Sequence, residues 1–455
     1  MTDFESQLRA AMESAVASRQ PPGNLVQQVR RRHRRHVLRV AVAGAAAVAV
    51  VAFLIPVGAG ALGHISGPAA KHPRKAAPTL YVAYAGNVCG ERPCVDNHKY
   101  PPTPSALIPI NTATNKAGNP VSGAGLSTFA STGQIAITPD GKTAYVLNDT
   151  GTVIPVSTAT NRAGRPIHVG QGHLGGPRFI AITPDGKTVY VANTGLNTVT
   201  PVSTATNRAG KPIPVGAAPV WIAITPDGKT AYVLNETRGS GPGSVIPVST
   251  VTNAPGMPIP VGAAPVWIAI TPDGKTVYAG NGSTVTPIST ATNTPGKPIH
   301  LNGNPGEGFA TVSPDGKTAY VATVNPDTVV PVSTATNQAG NPIKVGGIPA
   351  LFGSSPIGQI AITPDGKTAY VLTGEHSVIP ISTATNAPGR PIRFGSDCRA
   401  QPFVHPVYSI AITPDGKTAY VTCEKAVIPI STATNRAGQP IPIPLRDPSA
   451  AAITP

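Results

Sequence analysis

The sequence predicts an all-β body, a β-propeller of four-stranded antiparallel blades, with one transmembrane helix near its N-terminus. Three observations carry this reading. Pro-Asp-Gly-Lys recurs seven times, beginning at Pro139, Pro184, Pro226, Pro272, Pro314, Pro364 and Pro414. Each copy sits inside a longer unit of four short β-rich runs separated by turn residues. An uncharged apolar run of 23 residues, Val40 to Leu62, stands close to the start of the 455-residue chain.

Taken from the N-terminus, residues 1–36 form a basic tail. Phe4, Leu8, Met12 and Val16 recur every four residues, one face of a short amphipathic helix that Pro21-Pro22-Gly23 ends. Residues 37–63 are expected to cross the membrane, because Val40–Leu62 as a helix spans about 35 Å against a hydrocarbon core of about 30 Å. Arg30, Arg31, Arg32, Arg34, Arg35 and Arg39 precede the run, which places the N-terminus in the cytoplasm and the remainder outside. A cleaved signal peptide cut near Ala59-Gly60-Ala61 is the alternative, but the basic region before the run is long for one. The formal net charge is +15, and residues 1–75 hold eleven of the 35 Lys/Arg but only three of the 20 Asp/Glu. The membrane flank thus explains half of the excess, and the charge does not point to nucleic acid. Residues 64–78, rich in Pro and Ala, read as a linker.

From residue 79 onward the repeat takes over. In one unit Ile180-Ala181-Ile182-Thr183 leads into the Pro-Asp-Gly turn, and Thr188-Val189-Tyr190-Val191-Ala192-Asn193 follows. Thr198 to Val202, Ser203-Thr204-Ala205-Thr206-Asn207 and Ile213-Pro214-Val215-Gly216 complete it. Pro presets φ for the second position of a turn, and Asp and Gly suit the positions after it. The Asn-x-x-Gly segment makes the next reversal. The 48 Gly and 52 Pro are therefore turn punctuation rather than a mark of disorder. Four strands in a unit of about 45 residues, repeated radially, describe a propeller blade.

The runs Tyr145-Val146-Leu147-Asn148, Tyr190-Val191-Ala192-Asn193 and Tyr232-Val233-Leu234-Asn235, each after a Pro-Asp-Gly turn, resemble the YVTN-family β-propeller repeat. That family is known from bacterial and archaeal surface-layer-like proteins. The resemblance covers residues 79–455 and implies a propeller displayed at the cell surface.

The third-strand signature Ser/Asn-Thr-x-Thr-Asn occurs eight times, from Asn111 to Ser431, and the second-strand tyrosine eight times, from Tyr81 to Tyr420. The first strand with its Pro-Asp-Gly turn occurs seven times. Ala451-Ala452-Ile453-Thr454-Pro455 copies a first strand and stops at its Pro. Eight blades are expected, with seven the alternative, the ring being closed by strand 450–455 so that no free edge remains. One feature departs from a regular blade: the third strand carries Pro109, Pro155, Pro201, Pro247, Pro287, Pro331, Pro380 and Pro429. Pro is disfavoured inside a sheet, so a bulge, or a fourth strand already ended, is expected there.

The Pro-Asp-Gly and Asn-x-x-Gly turns are nearly constant and share one face. The other connections, 84–106, 121–134, 169–179, 235–244, 345–359 and 394–409, vary and lie on the opposite face, where function is expected. The residue before each first strand reads Gln134, Phe179, Trp221, Trp267, Phe309, Gln359, Ser409 and Ala450. Four consecutive aromatics, Phe179, Trp221, Trp267 and Phe309, with Arg178 and Glu307 beside them, are the candidate ligand-binding residues, able to stack on flat groups or sugar rings. Packing between blades accounts for the same pattern. The cysteines are Cys89, Cys94, Cys398 and Cys423. Outside the cytoplasm the expected disulfides are Cys89–Cys94 and Cys398–Cys423. The turn aspartates read as turn formers, not metal ligands. No metal-ligand spacing and no nucleophile–His–acid set can be read out, so neither a cofactor nor a catalytic residue is expected.

The function expected from these features is a membrane-anchored, extracytoplasmic binding or scaffold module, with a cell-wall polymer or surface protein as partner. Two other classes stay open: a propeller hydrolase of lactonase type, and a sensor that signals across the membrane.

Overall fold

The computed structural model describes residues 77–84, 106–121, 134–148, 150–170, 176–236, 242–281, 284–302, 309–323, 326–345, 357–373, 377–394, 409–423, 425–443 and 448–455. The apolar run 40–62, the basic tail and the linker lie outside them. Among the described residues no helix is long and apolar enough to cross a membrane.

Eight antiparallel sheets make eight blades, numbered here from the N-terminal side. Blade 3 shows the pattern. Pro177–Ile182 is its innermost strand, followed outward by Thr188–Asn193, Thr198–Ser203 and an outermost strand in two pieces, Arg208–Ala209 and Ile213–Pro214. Blade 1 takes its innermost strand from the other end of the chain. Pro448–Ile453 pairs with Thr79–Tyr84, with Leu80 opposite Ile453 and Val82 opposite Ala451. This agrees with the expected closure.

The cut in the ring is rebuilt by hydrogen bonds. In an intact turn Thr138 N donates to Thr143 O at 2.9 Å and Thr143 N to Thr138 Oγ1 at 3.0 Å. At the seam Thr454 N donates to Thr79 O at 2.9 Å and Thr79 N to Thr454 Oγ1 at 2.8 Å. Thr454 thus stands where Thr138 stands in blade 2. Gly141 of blade 2, at φ +70°, lies under Pro455 as Gly186 of blade 3 lies under Pro139.

The third-strand prolines are accommodated by a bulge, and it lies in the fourth strand. In blade 2 Val156 pairs with Ala163, but Val153 pairs with Ile167, so the fourth strand holds one extra residue between these pairs. Pro155 keeps regular register opposite Tyr145. Its carbonyl accepts from Gly164 N at 2.7 Å, so its missing N–H also faces the bulge, where no ladder bond is lost. A Cβ on Gly164 would come within 3.1 Å of the Pro155 ring, and the same Pro–Gly contact recurs in all eight blades.

The core lies between blades. Blade 8 meets blade 1 through Tyr420, Val427 and Ile441 packed with Leu80, Val82 and Ile108. On the constant face each second-strand tyrosine donates to the turn asparagine of the next blade. The series begins with Tyr81 to Asn161 Oδ1 at 2.5 Å and Tyr145 to Asn207 at 2.7 Å. It closes with Tyr420 to Asn115 at 2.6 Å. These asparagines sit in the left-handed region, at φ near +52° for Asn161 and Asn207, a conformation Asn tolerates better than most residues. Eight such bonds tie the ring, each worth about 1 kcal/mol net.

Candidate functional site

The variable end of each first strand is where the blades differ. Phe179 and Trp221 stack with ring centroids 4.7 Å apart and planes 25° apart. Trp267 pairs with Gly280 and lies across it, so that a Cβ on Gly280 would fall 2.0 Å from Trp267 Cε2. Blade 5 alone reads Tyr278-Ala279-Gly280-Asn281, where its neighbours carry Leu234 and Ala322 in place of Gly280, which makes room for the indole. Phe179, Trp221 and Trp267 are 2 %, 8 % and 1 % exposed and belong to one core cluster that runs from blade 3 into blade 6. Three of the four aromatic candidates are thus the floor of the site rather than its surface. Phe309 is half-buried against the same cluster, and Arg178 is half-buried beside Phe179. Glu307 lies outside the described residues.

The equivalent position is polar in blades 2, 7 and 8, and in blade 1 it is Ala450. Gln134 Oε1 accepts from Ile180 N at 3.1 Å, a clasp from blade 2 to blade 3. Gln359 Oε1 accepts from Ile410 N at 2.9 Å and from Ser409 Oγ at 3.3 Å, joining blade 7 to blade 8. Its buried Nε2 has no hydrogen-bond partner among the described residues.

A further set of contacts at this end has no counterpart in the sequence reading. Asn193 Nδ2 donates to Val169 O of the preceding blade at 3.0 Å, Asn281 Nδ2 to Val261 O at 2.7 Å, and Asn235 Nδ2 to Val215 O. Their only sequence signal was the Asn that ends the second strand in some repeats and gives way to Thr in others. Beside Asn235 a cavity of about 230 Å³ opens between blades 3 and 4, lined in part by Val215, Gly216, Ala217, Ser244 and Ile246.

The turn aspartates act as the sequence suggested. Asp140 Oδ1 accepts from Thr138 Oγ1 at 2.6 Å and from Lys142 N at 3.0 Å. The Thr138 hydroxyl, then the Lys142 amide, hold its carboxyl below the usual range. Among the described residues no group of three or more His, Cys, Asp or Glu could hold a metal ion. Cys423 is disulfide-bonded. Its expected partner Cys398, and the pair Cys89 and Cys94, lie outside the described residues.

No family model matches the chain, and no curated protein is significantly similar to it. Solved structures share the fold. Dihydro-heme d1 dehydrogenase NirN in complex with DHE is 14% identical over 84% of this chain and 77% of its own, with a TM-score of 0.61. AztD from Citrobacter koseri is 12% identical over 83% of this chain and 98% of its own, with a TM-score of 0.59. Hydrazine synthase from Kuenenia stuttgartiensis is 21% identical over 71% of this chain and 99% of its own, with a TM-score of 0.51. At these identities the likeness is one of fold alone.

Proposed function

We propose that this chain is a binding or scaffold module, anchored through residues 40–62 and held outside the cytoplasm, that engages a cell-surface polymer or protein with its variable face. The observation that carries the reading is the contrast between its two faces. One is bound by the same tyrosine–asparagine bond at every blade junction, while the other places half-buried Phe309 and Arg178 over a buried aromatic floor. A rigid ring with divergent connections on one side is a scaffold for recognition. The resemblance to the YVTN repeat, and to surface-layer-like proteins, supports a cell-surface setting.

The test is sedimentation of the full chain with wall polysaccharide from the producing cells, beside the variant Phe309→Ala/Arg178→Ala. Trp221 and Trp267 are left intact because their burial would confound binding with stability. Binding that falls at least tenfold in a variant with unchanged melting supports the reading. Absence of binding by the unaltered chain removes the polysaccharide as its partner.

A further inference from the structure

The outer rim carries charge of one sign. In every blade two positions of the outermost strand face outward, one just after the left-handed Asn and one just after the Gly that packs on the third-strand Pro. Blade 8 offers Arg436 at the first, blade 1 Lys116, blade 2 Arg162 and Arg165, and blade 3 Arg208 and Lys211. All six are exposed. No Asp or Glu occurs in 111–121, 157–170, 203–216 or 431–443. Among the described residues none of the six makes an ion pair, because the ion pairs formed are those between each turn aspartate and the lysine two residues on.

Cations on edge strands commonly serve to keep sheets from pairing with one another. That role does not account for this pattern. Every outer edge is already broken by its Gly-centred bulge, and blade 4 holds Ala254 and Met257 at the two positions with no charge at all. Six of the eight cations at these positions fall on four consecutive blades, four of them on blades 2 and 3, and the other two are Lys297 of blade 5 and Arg390 of blade 7. The four on blades 2 and 3 stand in two tiers: Arg162 and Arg208 pair with the last residue of the third strand, Ser157 and Ser203, while Arg165 and Lys211 stand three residues further along, about 10 Å up the rim. Adjacent outer strands touch where blade 2 meets blade 3 and where blade 8 meets blade 1.

We propose that this convex wall binds an extended polyanion, a chain of repeating phosphate or carboxylate groups, at a site distinct from the aromatic floor. Four of the six cations are Arg, whose planar fork matches both oxyanions. A flexible chain can follow a curved two-tiered wall through several blades, whereas a flat bilayer meets it along one line. Summed over neighbouring exposed charges, the attraction is salt-sensitive.

The experiment measures binding of the full chain to long-chain polyphosphate and to polyglutamate across a series of salt concentrations. Arg162→Gln/Arg165→Gln/Arg208→Gln/Lys211→Gln is expected to weaken binding at least tenfold and to flatten its salt dependence. Lys142→Gln/Lys187→Gln/Lys229→Gln/Lys275→Gln removes the same charge from the constant face and is expected to weaken it less than threefold. The two polymers distinguish phosphate from carboxylate as the anion. Equal losses in the two variants would reduce the effect to net charge and overturn the proposal, as would absence of binding to both polymers. A third overturning result is a preference for phosphatidylglycerol over phosphatidylcholine vesicles that the rim variant abolishes while polymer binding is unchanged. Failure of the polysaccharide experiment on the variable face leaves this test unaffected, because it alters neither Phe309 nor Arg178.

Discussion

Among the described residues, blades 2 to 5 are joined to one another by asparagine bonds on the variable face as well as by tyrosine–asparagine bonds on the constant one, whereas no such second asparagine bond joins blades 6 to 8. The tyrosine–asparagine bond spans every junction. Among the described residues the asparagine bonds back to the preceding blade, from Asn193, Asn235 and Asn281, fall in the first arc, and one hydrophobic cluster runs from blade 3 into blade 6. In blades 6 and 7 the equivalent residues turn to their own blade, Thr323 bonding Thr328 and Thr373 bonding Ser377, and in blade 8 the place is taken by the disulfide-bonded Cys423. Gln359 is the exception there, clasping blade 7 to blade 8. Repeats with the same turns therefore differ in coupling, and the ring has a stiffer half. The stiffer half is also the one with the aromatic floor.

Breaking the shared bond exposes that difference most strongly. Burial pushes the Tyr81, Tyr145, Tyr190, Tyr232, Tyr278, Tyr370 and Tyr420 phenols up to about 12, and raises that of Tyr320 as well. In the unfolded chain they ionise near pH 10. Their contribution is therefore complete below pH 10, declines above it, and is gone beyond pH 12. Each tyrosine removes at most about 1.4 kcal/mol per pH unit in that window, less where solvent screens the phenol, and because the series is repeated around the ring stability falls steeply above pH 10. Phenolate absorbance followed against circular dichroism should show these eight of the eleven tyrosines ionising with unfolding rather than before it. Ordinary titration near pH 10 in a folded protein would mean that the phenols are not buried donors. Hydrogen exchange just above pH 10 should find 188–193, 230–235 and 276–280 still protected when 318–323 and 368–373 have opened.

Removing the seam is the next largest perturbation. Deletion of residues 448–455 leaves Thr79–Tyr84 without its inner neighbour and uncovers the contacts of Ala450, Ala451 and Ala452, a loss of roughly 5 kcal/mol. Calorimetry should record a lower melting temperature. Exchange should spread from blade 1 into blade 8 before it reaches blade 4. An unchanged melting temperature would mean that the ring does not depend on this strand.

The sequence exposes what repeats and conceals what the repeats do to one another. Seven Pro-Asp-Gly turns against eight tyrosines were enough to foresee eight blades and a borrowed strand, because counting needs no coordinates. The third-strand prolines announced a bulge, but not that it lies across the ladder beside Gly164. Tyr145 and Asn207 are each visible as members of an eightfold series. That one donates to the other follows only from a blade-to-blade offset of 62 residues, which no local pattern encodes. The aromatic row was legible as a row. Packing between blades was one of its two readings, but which of the four residues are buried was not legible, because a first-strand residue at that height points into the junction or toward the mouth according to its neighbour, here Gly280 for Trp267.

The smallest perturbation tests whether the second set of bonds makes the stiffer arc. Asn281 donates to Val261 O at 2.7 Å, while its Oδ1 accepts from Thr284 N at 2.9 Å. Asn281→Thr, which copies blades 6 and 7, leaves the Val261 carbonyl buried without its donor and should cost about 1–3 kcal/mol, read as a shift in denaturant midpoint. The reverse change should not recover the bond. The Asn281 amide sits where only glycine fits: Gly262 has φ +88°, and a Cβ there would fall 2.2 Å from Asn281 Nδ2. The matching position opposite Thr323 is Asn302, which follows Leu301 as Gly262 follows Val261. Thr323→Asn should therefore be neutral or destabilising by itself and stabilising only together with Asn302→Gly. A gain from Thr323→Asn alone would mean that the bond does not require glycine across the junction, and the difference between the two arcs would then rest on the aromatic residues alone.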